Sequence, residues 1–271
     1  MDELYMTLLL LLVVPILICI RYAGKIKSDV ADSIVKCLVF ASITILSNGL
    51  FVFSHHETFA YLMEALYLFS FDMVFIYILQ YSQQYTKVFE EVSLVRTGSF
   101  LLAYLDGISM FLNTFYHHAF RFRTQSYISV QMYHIGDKTV FYYLHFVFIY
   151  CLVFCIIASF LTKILQIPRF YRKKYIPILA VICVIVILNF ICNISESPVD
   201  VSLPFFVFAA ILICYLSLYR SPRELINQTL SIVVTEMNNM VICFDINHEC
   251  VYANDRAIKM FHTPGDNLQV I

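Results

Sequence analysis

Thr139–Leu165 reads TVFYYLHFVFIYCLVFCIIASFLTKIL. A helix rising 1.5 Å per residue needs roughly 20 mostly apolar residues to cross the hydrocarbon of a bilayer. This run exceeds that length with one lysine, Lys163, at its far end and one histidine, His145, near its start. It is too long for a strand, and it has no polar face for an amphipathic helix to turn toward water. The stretch reads as a membrane span and sets the scale for parsing the rest of the chain.

The same criterion selects six more windows: Leu4–Tyr22, Ala31–Phe53, Phe59–Tyr81, Leu94–Phe115, Tyr175–Asn193 and Val199–Tyr219. Composition agrees. The chain is 61% hydrophobic with a mean hydropathy of +0.78 and only 14% charged residues, against about 25% in soluble domains. The first apolar run begins almost at once without a basic leader, so it reads as a span and not as a cleaved signal. A net charge of −1 offers nucleic acid no basic field. The expected fold class is an all-α membrane protein, a seven-transmembrane bundle in contact with the lipid bilayer.

Lysine and arginine orient it, because cytoplasmic loops carry the excess of both. One set of alternate loops and helix ends holds Arg21, Lys25, Lys27, Lys36, Lys87, Arg96, Lys163, Arg169, Arg172, Lys173, Lys174, Arg220 and Arg223. The other holds only Arg121, Arg123 and Lys138. This asymmetry puts the N-terminus outside and the C-terminus in the cytoplasm, which requires an odd number of spans. The longest connection, His117–Lys138, then lies outside. Phe120 and Phe122, then Ile128, Val130 and Met132, alternate with polar residues, which predicts a β-hairpin turning at Thr124-Gln125-Ser126.

Several chemistries lack their signatures. There is no HExxH and no GxSxG. Tyr104-Leu105-Asp106-Gly107 lacks the GxGD of intramembrane aspartyl proteases, and Glu90-Glu91…Arg96 has one residue too many for EExxxR. No catalytic residue, metal ligand or cofactor is expected in this chain. The cysteines are scattered singly, most of them in apolar runs, and read as small buried hydrophobes.

Polar residues inside apolar helices ask for a partner or a task, because a charge in hydrocarbon costs several kcal/mol. Counting from the outer helix ends puts Glu64 at ~9 Å depth, Asp106 at ~12 Å and His145 at ~9 Å. Asn48 and Asn189 fall near ~8 Å on that scale, and Asp72 deeper. Two readings fit the first five. They line one outward-facing pocket for a small-molecule ligand, or they make separate interhelical hydrogen bonds. His55, His56, His117, His118, His134 and His145 all map to the outer side, where imidazoles can bind a metal, sense acidification or simply serve as interfacial polar residues; no spacing matches a defined zinc site.

Past Tyr219, Ser221 and Pro222 suit the start of a new helix. Ile226, Leu230, Val233 and Met237 follow at heptad spacing. Such a seam pairs two copies in parallel or lays an amphipathic helix on another surface. Met240–Ile246 then alternates as a strand, Asn247-His248 turns, Cys250–Ala253 returns, and Asn254 can cap a helix over Asp255–Phe261.

That strand, turn, strand and short helix resembles the opening of a PAS domain. The resemblance is carried by Val241-Ile242-Cys243-Phe244-Asp245 and by Val251-Tyr252-Ala253-Asn254-Asp255-Arg256-Ala257; the family's turn glycine is His248 here. The membrane part resembles the seven-helix N-terminal sensor region of bacterial histidine kinases and diguanylate cyclases. The matching pieces are Phe75-Ile76-Tyr77-Ile78-Leu79-Gln80-Tyr81, Tyr133-His134-Ile135-Gly136 and Pro168-Arg169-Phe170-Tyr171-Arg172. To these are added Val199-Asp200-Val201-Ser202-Leu203-Pro204 and Leu218-Tyr219-Arg220. The family often carries an outer tryptophan, and this chain has none.

The resemblance implies a sensor domain over residues 1–220, a signalling linker over 221–238 and the first part of a PAS domain over 239–271. It implies location in the bacterial inner membrane, signal transfer through Ile226, Leu230, Val233 and Met237, and homodimer formation. It also implies a kinase or cyclase output beyond this chain; no PAS ligand is indicated. A transporter-like or channel-like bundle and a non-enzymatic membrane scaffold are the competing expectations.

Overall fold

A computed structural model describes residues 2–89, 93–127, 130–167, 169–194, 202–220, 239–244 and 250–261. It divides into two compact units, Met1–Leu218 and Tyr219–Ile271.

The first unit is a helical bundle. Its helices are α1 (Asp2–Ala23), α2 (Asp29–Val52), α3 (Glu57–Thr86), α4 (Ser93–Tyr116), α5 (Val140–Gln166), the single turn α6 (Arg169–Arg172), α7 (Ile176–Ile194) and α8 (Ser202–Cys214), which continues as π-helix over Tyr215–Arg220. A helix underlies each apolar window. Four stretches are long and apolar enough to cross a membrane: Asp29–Val52, Glu57–Thr86, Val140–Gln166 and Ser202–Tyr219. Leu11–Ala23 and Ile176–Ile191 are shorter apolar helices.

Local chemistry sets the ends. Ser28 caps α2 by accepting from the Ala31 backbone N–H at 3.2 Å, and Asp29 and Asp32 face the positive end of the helix dipole. Lys87 closes α3 in the left-handed region, at φ 58°.

α3 is the central element. It packs against α2, α4 and α5, while α8 packs against α1, α2 and α7. Nearly every face of α3 is covered, including Phe71, Met73, Val74, Phe75 and Ile76 in succession. Peripheral helices instead turn large apolar side chains outward. Leu101 and Ile108 on α4, Val147 and Phe154 on α5, and Val184 and Ile187 on α7 are each more than half exposed. Exposing such a side chain to water costs ~1.5–3 kcal/mol, and lipid removes that cost. This apolar girdle and the long apolar helices mark a membrane protein.

Between α4 and α5 runs an antiparallel hairpin, β1 (Phe120–Tyr127) with β2 (Val130–Lys138). The register pairs Tyr127 with Val130, and Thr124, Gln125 and Ser126 with Tyr133, Met132 and Gln131. The expected turn at Thr124-Gln125-Ser126 is therefore strand, and the ladder continues to the Tyr127–Val130 pair. β-branched and aromatic residues on both sides favour extending the ladder over turning early. A bulge at Gly136 lets the Arg123 side chain cross directly over it to reach Asp137 at 2.7 Å; a Cβ at Gly136 would sit 2.2 Å from Arg123 Cγ.

Three helices hold the base of the hairpin. Asn113 of α4, fully buried, accepts from the Ala119 and Phe120 N–H groups at 2.6 and 3.3 Å and donates to the Phe120 carbonyl at 3.1 Å. The Tyr61 hydroxyl of α3 accepts from the Phe122 N–H at 3.1 Å. Thr139, at the head of α5, donates its hydroxyl to the His118 and Ala119 carbonyls. Tyr61, Phe120 and Phe122 stack within 6 Å of one another beneath the strands.

The second unit contains β3 (Ile242–Phe244), β4 (Cys250–Ala253) and α9 (Asp255–Phe261). The strands pair antiparallel, Ile242 with Ala253 and Cys243 with Tyr252. Buried Asn254 organises this unit. Its Oδ1 accepts from the Ala257 N–H at 3.0 Å, which caps α9, and from the Val241 N–H at 3.1 Å. Its Nδ2 donates to the Asn239 carbonyl at 2.9 Å.

Candidate functional site

In the middle of this apolar bundle three ionisable side chains meet: Asp72 from α3, Asp106 from α4 and His145 from α5. Asp72 and His145 are fully buried, and the Asp106 side chain is 17% exposed. The His145 Nδ1 lies 2.6 Å from Asp106 Oδ2, within the range of a charge-assisted hydrogen bond. When Asp106 is ionised it can only accept there, and Nδ1 then carries the hydrogen and donates it. The same nitrogen is 3.6 Å from Asp72 Oδ1, beyond hydrogen-bonding distance. Both Asp72 carboxyl oxygens and His145 Nε2 are left without a hydrogen-bond partner among the described residues.

Packing explains how the three come together. Gly107, next to Asp106, lets α4 close onto α3. A Cβ there would lie 2.3 Å from Cδ2 of Phe69, so only a hydrogen fits under that ring. His145 is fixed on the other side by Phe146, whose ring stands edge-on to the imidazole at 5.3 Å. The cluster is thus positioned by the central helix and two neighbours that the hairpin also ties to one another.

The residues proposed from depth alone distribute differently. Asp106 and His145 converge, and Asp72, placed deeper by that count, joins them. Counting α3 from its start misjudges level, because its first turns stand beside the hairpin, where Tyr61 meets Phe122. Glu64 is eight residues from Asp72 along α3, about 12 Å away on the helix rise; it is buried and engaged in an interaction of its own. Asn48 is likewise buried and engaged on α2. Asn189 donates to the Ser202 hydroxyl at 3.1 Å and accepts from Tyr150 at 3.4 Å, tying α7 to α8 and α5. That is the interhelical hydrogen bonding a membrane bundle uses for adhesion. Ile226, Leu230, Val233 and Met237 lie outside the described residues.

The hairpin-side histidines play varied parts. His118 Nε2 hydrogen-bonds the Ser109 hydroxyl at 3.0 Å, and His117 stacks on Tyr61 at 4.6 Å. Among the described residues, the cluster of three or more potential metal ligands is Asp72, Asp106 and His145, with ligand atoms all within 4.8 Å. An apolar cavity of about 40 Å³ lies elsewhere, lined by Ala41, Thr44, Phe71, Ile182 and Phe206 among others; none of the three ionisable residues lines it.

Chemically, the cluster offers two carboxyl groups and an imidazole in a largely buried setting. It can hold or exchange protons or receive a cation; it presents no hydroxyl or thiol nucleophile. Compared with models of known protein families and with curated proteins, the chain matches none.

Proposed function

We propose that the chain is the membrane-embedded input module of a bacterial signal-transduction protein. In this reading seven helices cross the inner membrane with the N-terminus outside, and the hairpin caps the outer mouth. The last helix leads through residues 221–238 into the start of a PAS domain and onward to a kinase or cyclase output, in a homodimer. Stimulus energy is differential affinity for two packings of the bundle.

The observation that carries the reading is the Asp72–Asp106–His145 cluster. Ionisable groups in a membrane bundle are costly and mark ligand or proton pathways by default. Here they join three helices at one point, so a change in charge or occupancy there acts on the packing of α3 against both neighbours. The basic bias of alternate loops supports the orientation, and the strand–turn–strand–helix pattern after Asn239 supports the inward-reporting direction.

The test uses the complete gene. Reading past Ile271 should reveal a phosphoacceptor helix or a GGDEF run. In cells carrying that complete protein, Asp72→Asn, Asp106→Asn and His145→Gln should each fix the output at one level while the protein still reaches the membrane. Wild-type responsiveness in all three variants would refute the assignment of the site. Solute accumulation by proteoliposomes of the purified protein would favour a transporter instead.

A further inference from the structure

We propose that Asp72, Asp106 and His145 bind one divalent transition cation of the zinc class where α3, α4 and α5 meet. This names the ligand of the site assigned above and rests on the sensor reading only for what binding does, not for whether it occurs.

Four observations converge. The donor set is one imidazole and two carboxylates, the mixed nitrogen and oxygen ligation that suits zinc and its neighbours. Calcium prefers six to eight oxygens, and soft monovalent copper prefers sulfur. The geometry is close: ligands 2.0–2.2 Å from a tetrahedral ion stand about 3.4 Å apart. His145 Nδ1 to Asp72 Oδ1 is 3.6 Å, and His145 Nδ1 to Asp106 Oδ2 is 2.6 Å. The first pair needs almost no adjustment; the second opens as the proton between its atoms is replaced.

The third observation is Asp72 itself. It is fully buried, neither of its oxygens has a hydrogen-bond partner among the described residues, and both remain open to a cation held beside His145 and Asp106. The fourth is charge balance. Two carboxylates, a neutral imidazole and a divalent cation sum to zero. Ligands must be deprotonated to bind a metal, so any proton they hold leaves as the cation enters and binding tightens as pH rises. Three protein ligands also leave a fourth position open, as in zinc sites that exchange ligands. Asp106, the one member with exposed side-chain surface, marks the approach.

The experiment uses the purified full chain in nanodiscs, stripped with a chelator and titrated with Co²⁺ as a visible-absorbing probe, then with Zn²⁺. One equivalent should saturate the d–d absorption, and Zn²⁺ should abolish it. Asp72→Asn and His145→Gln should each weaken binding at least about 100-fold, the upper end of losses seen for mere supporting residues. Zn²⁺ should raise the unfolding temperature of the parent and not of Asp72→Asn, which keeps the test valid if a variant is less stable. Replacing His117, His118 and His134 by alanine should leave binding intact. The proposal is overturned by the absence of saturable one-to-one binding, by an unchanged Co²⁺ spectrum in Asp72→Asn, or by loss of binding only in the triple histidine variant. If metal binds as described but Zn²⁺ leaves the complete protein's output unchanged, the metal site stands and the sensor role of the cluster falls. If the output responds to Zn²⁺ while Asp72→Asn still binds it normally, the metal acts at another site and the proposal falls.

Discussion

Replacing Asn113 by alanine should loosen the hairpin more than any other single truncation at its base. The side chain is fully buried and makes three hydrogen bonds to two consecutive backbone units, Ala119 and Phe120, which are themselves fully buried. Alanine leaves those two N–H groups and one carbonyl without that partner. A buried group so abandoned costs roughly 1–3 kcal/mol, and partial access of water at the helix end trims the sum to about 3–5 kcal/mol. Opening of the hairpin should then become at least about 100-fold more frequent, since 1.4 kcal/mol is a factor of ten. Hydrogen exchange measured by mass spectrometry on peptides covering 118–139, in micelles, reads this directly. Thr114 provides the control. It is the next residue on α4, and its buried hydroxyl has no hydrogen-bond partner among the described residues. Thr114→Val removes no bond and should leave exchange unchanged. Exchange in Asn113→Ala within about threefold of the parent would refute the reasoning, because three buried hydrogen bonds are not lost so cheaply.

Gly107→Ala should push the Phe69 ring aside and part α3 from α4, at a cost of about 1–3 kcal/mol, seen as a lower unfolding temperature in micelles. Adding Phe69→Leu should recover part of it. Tyr81→Phe removes the partner of the Ser217 hydroxyl, 2.6 Å away in a fully buried pair. It should cost about 1–2 kcal/mol, and Tyr81→Phe with Ser217→Ala should cost less than the sum of the singles. Lys174 lies in the turn before α7, its ammonium 4.4 Å above the Tyr85 ring. Burial, reinforced by the charge of Lys163, lowers its proton affinity below the ordinary lysine value of 10.5. The unfolded chain then holds the proton more tightly, so stability rises with pH over the interval just below 10.5. Lys174→Met should flatten that rise in a pH series of thermal melts; an unaltered slope would contradict it.

Length and apolarity made the helices readable, because a run such as Thr139–Leu165 permits one structure in lipid. The site was only half readable. Asp106 and His145 stand out as ionisable residues in apolar helices, but level along a helix does not say which side a residue faces. Asn48, Glu64 and Asn189 shared a level with them; Asn189 bonds Ser202 and Tyr150, and Asn48 and Glu64 are engaged in interactions of their own. Asp72 was set apart because α3 begins beside the hairpin, and only tertiary structure reveals that offset. The hairpin turn was misplaced because Thr124-Gln125-Ser126 has turn-like composition, while cross-strand pairing decides where a ladder ends. Asn113 carried a signal that went unused: a lone amide one turn from the end of an apolar helix, four residues before His117, whose φ of 50° breaks the helix.

The hairpin base fastens α3, α4 and α5 together at one end and leaves their far ends free of it. α3 has 30 residues, about 45 Å of rod. A rod tied by the hairpin at one end and packed through Tyr81 and Tyr85 toward the other can still pivot as a lever. A tilt of about 3° at the fastened end carries the opposite end through about 2 Å over that length. The meeting point of Asp72, Asp106 and His145 lies part-way along. An adjustment of a fraction of an ångström among those three side chains therefore reaches the far end of the bundle enlarged, by leverage alone.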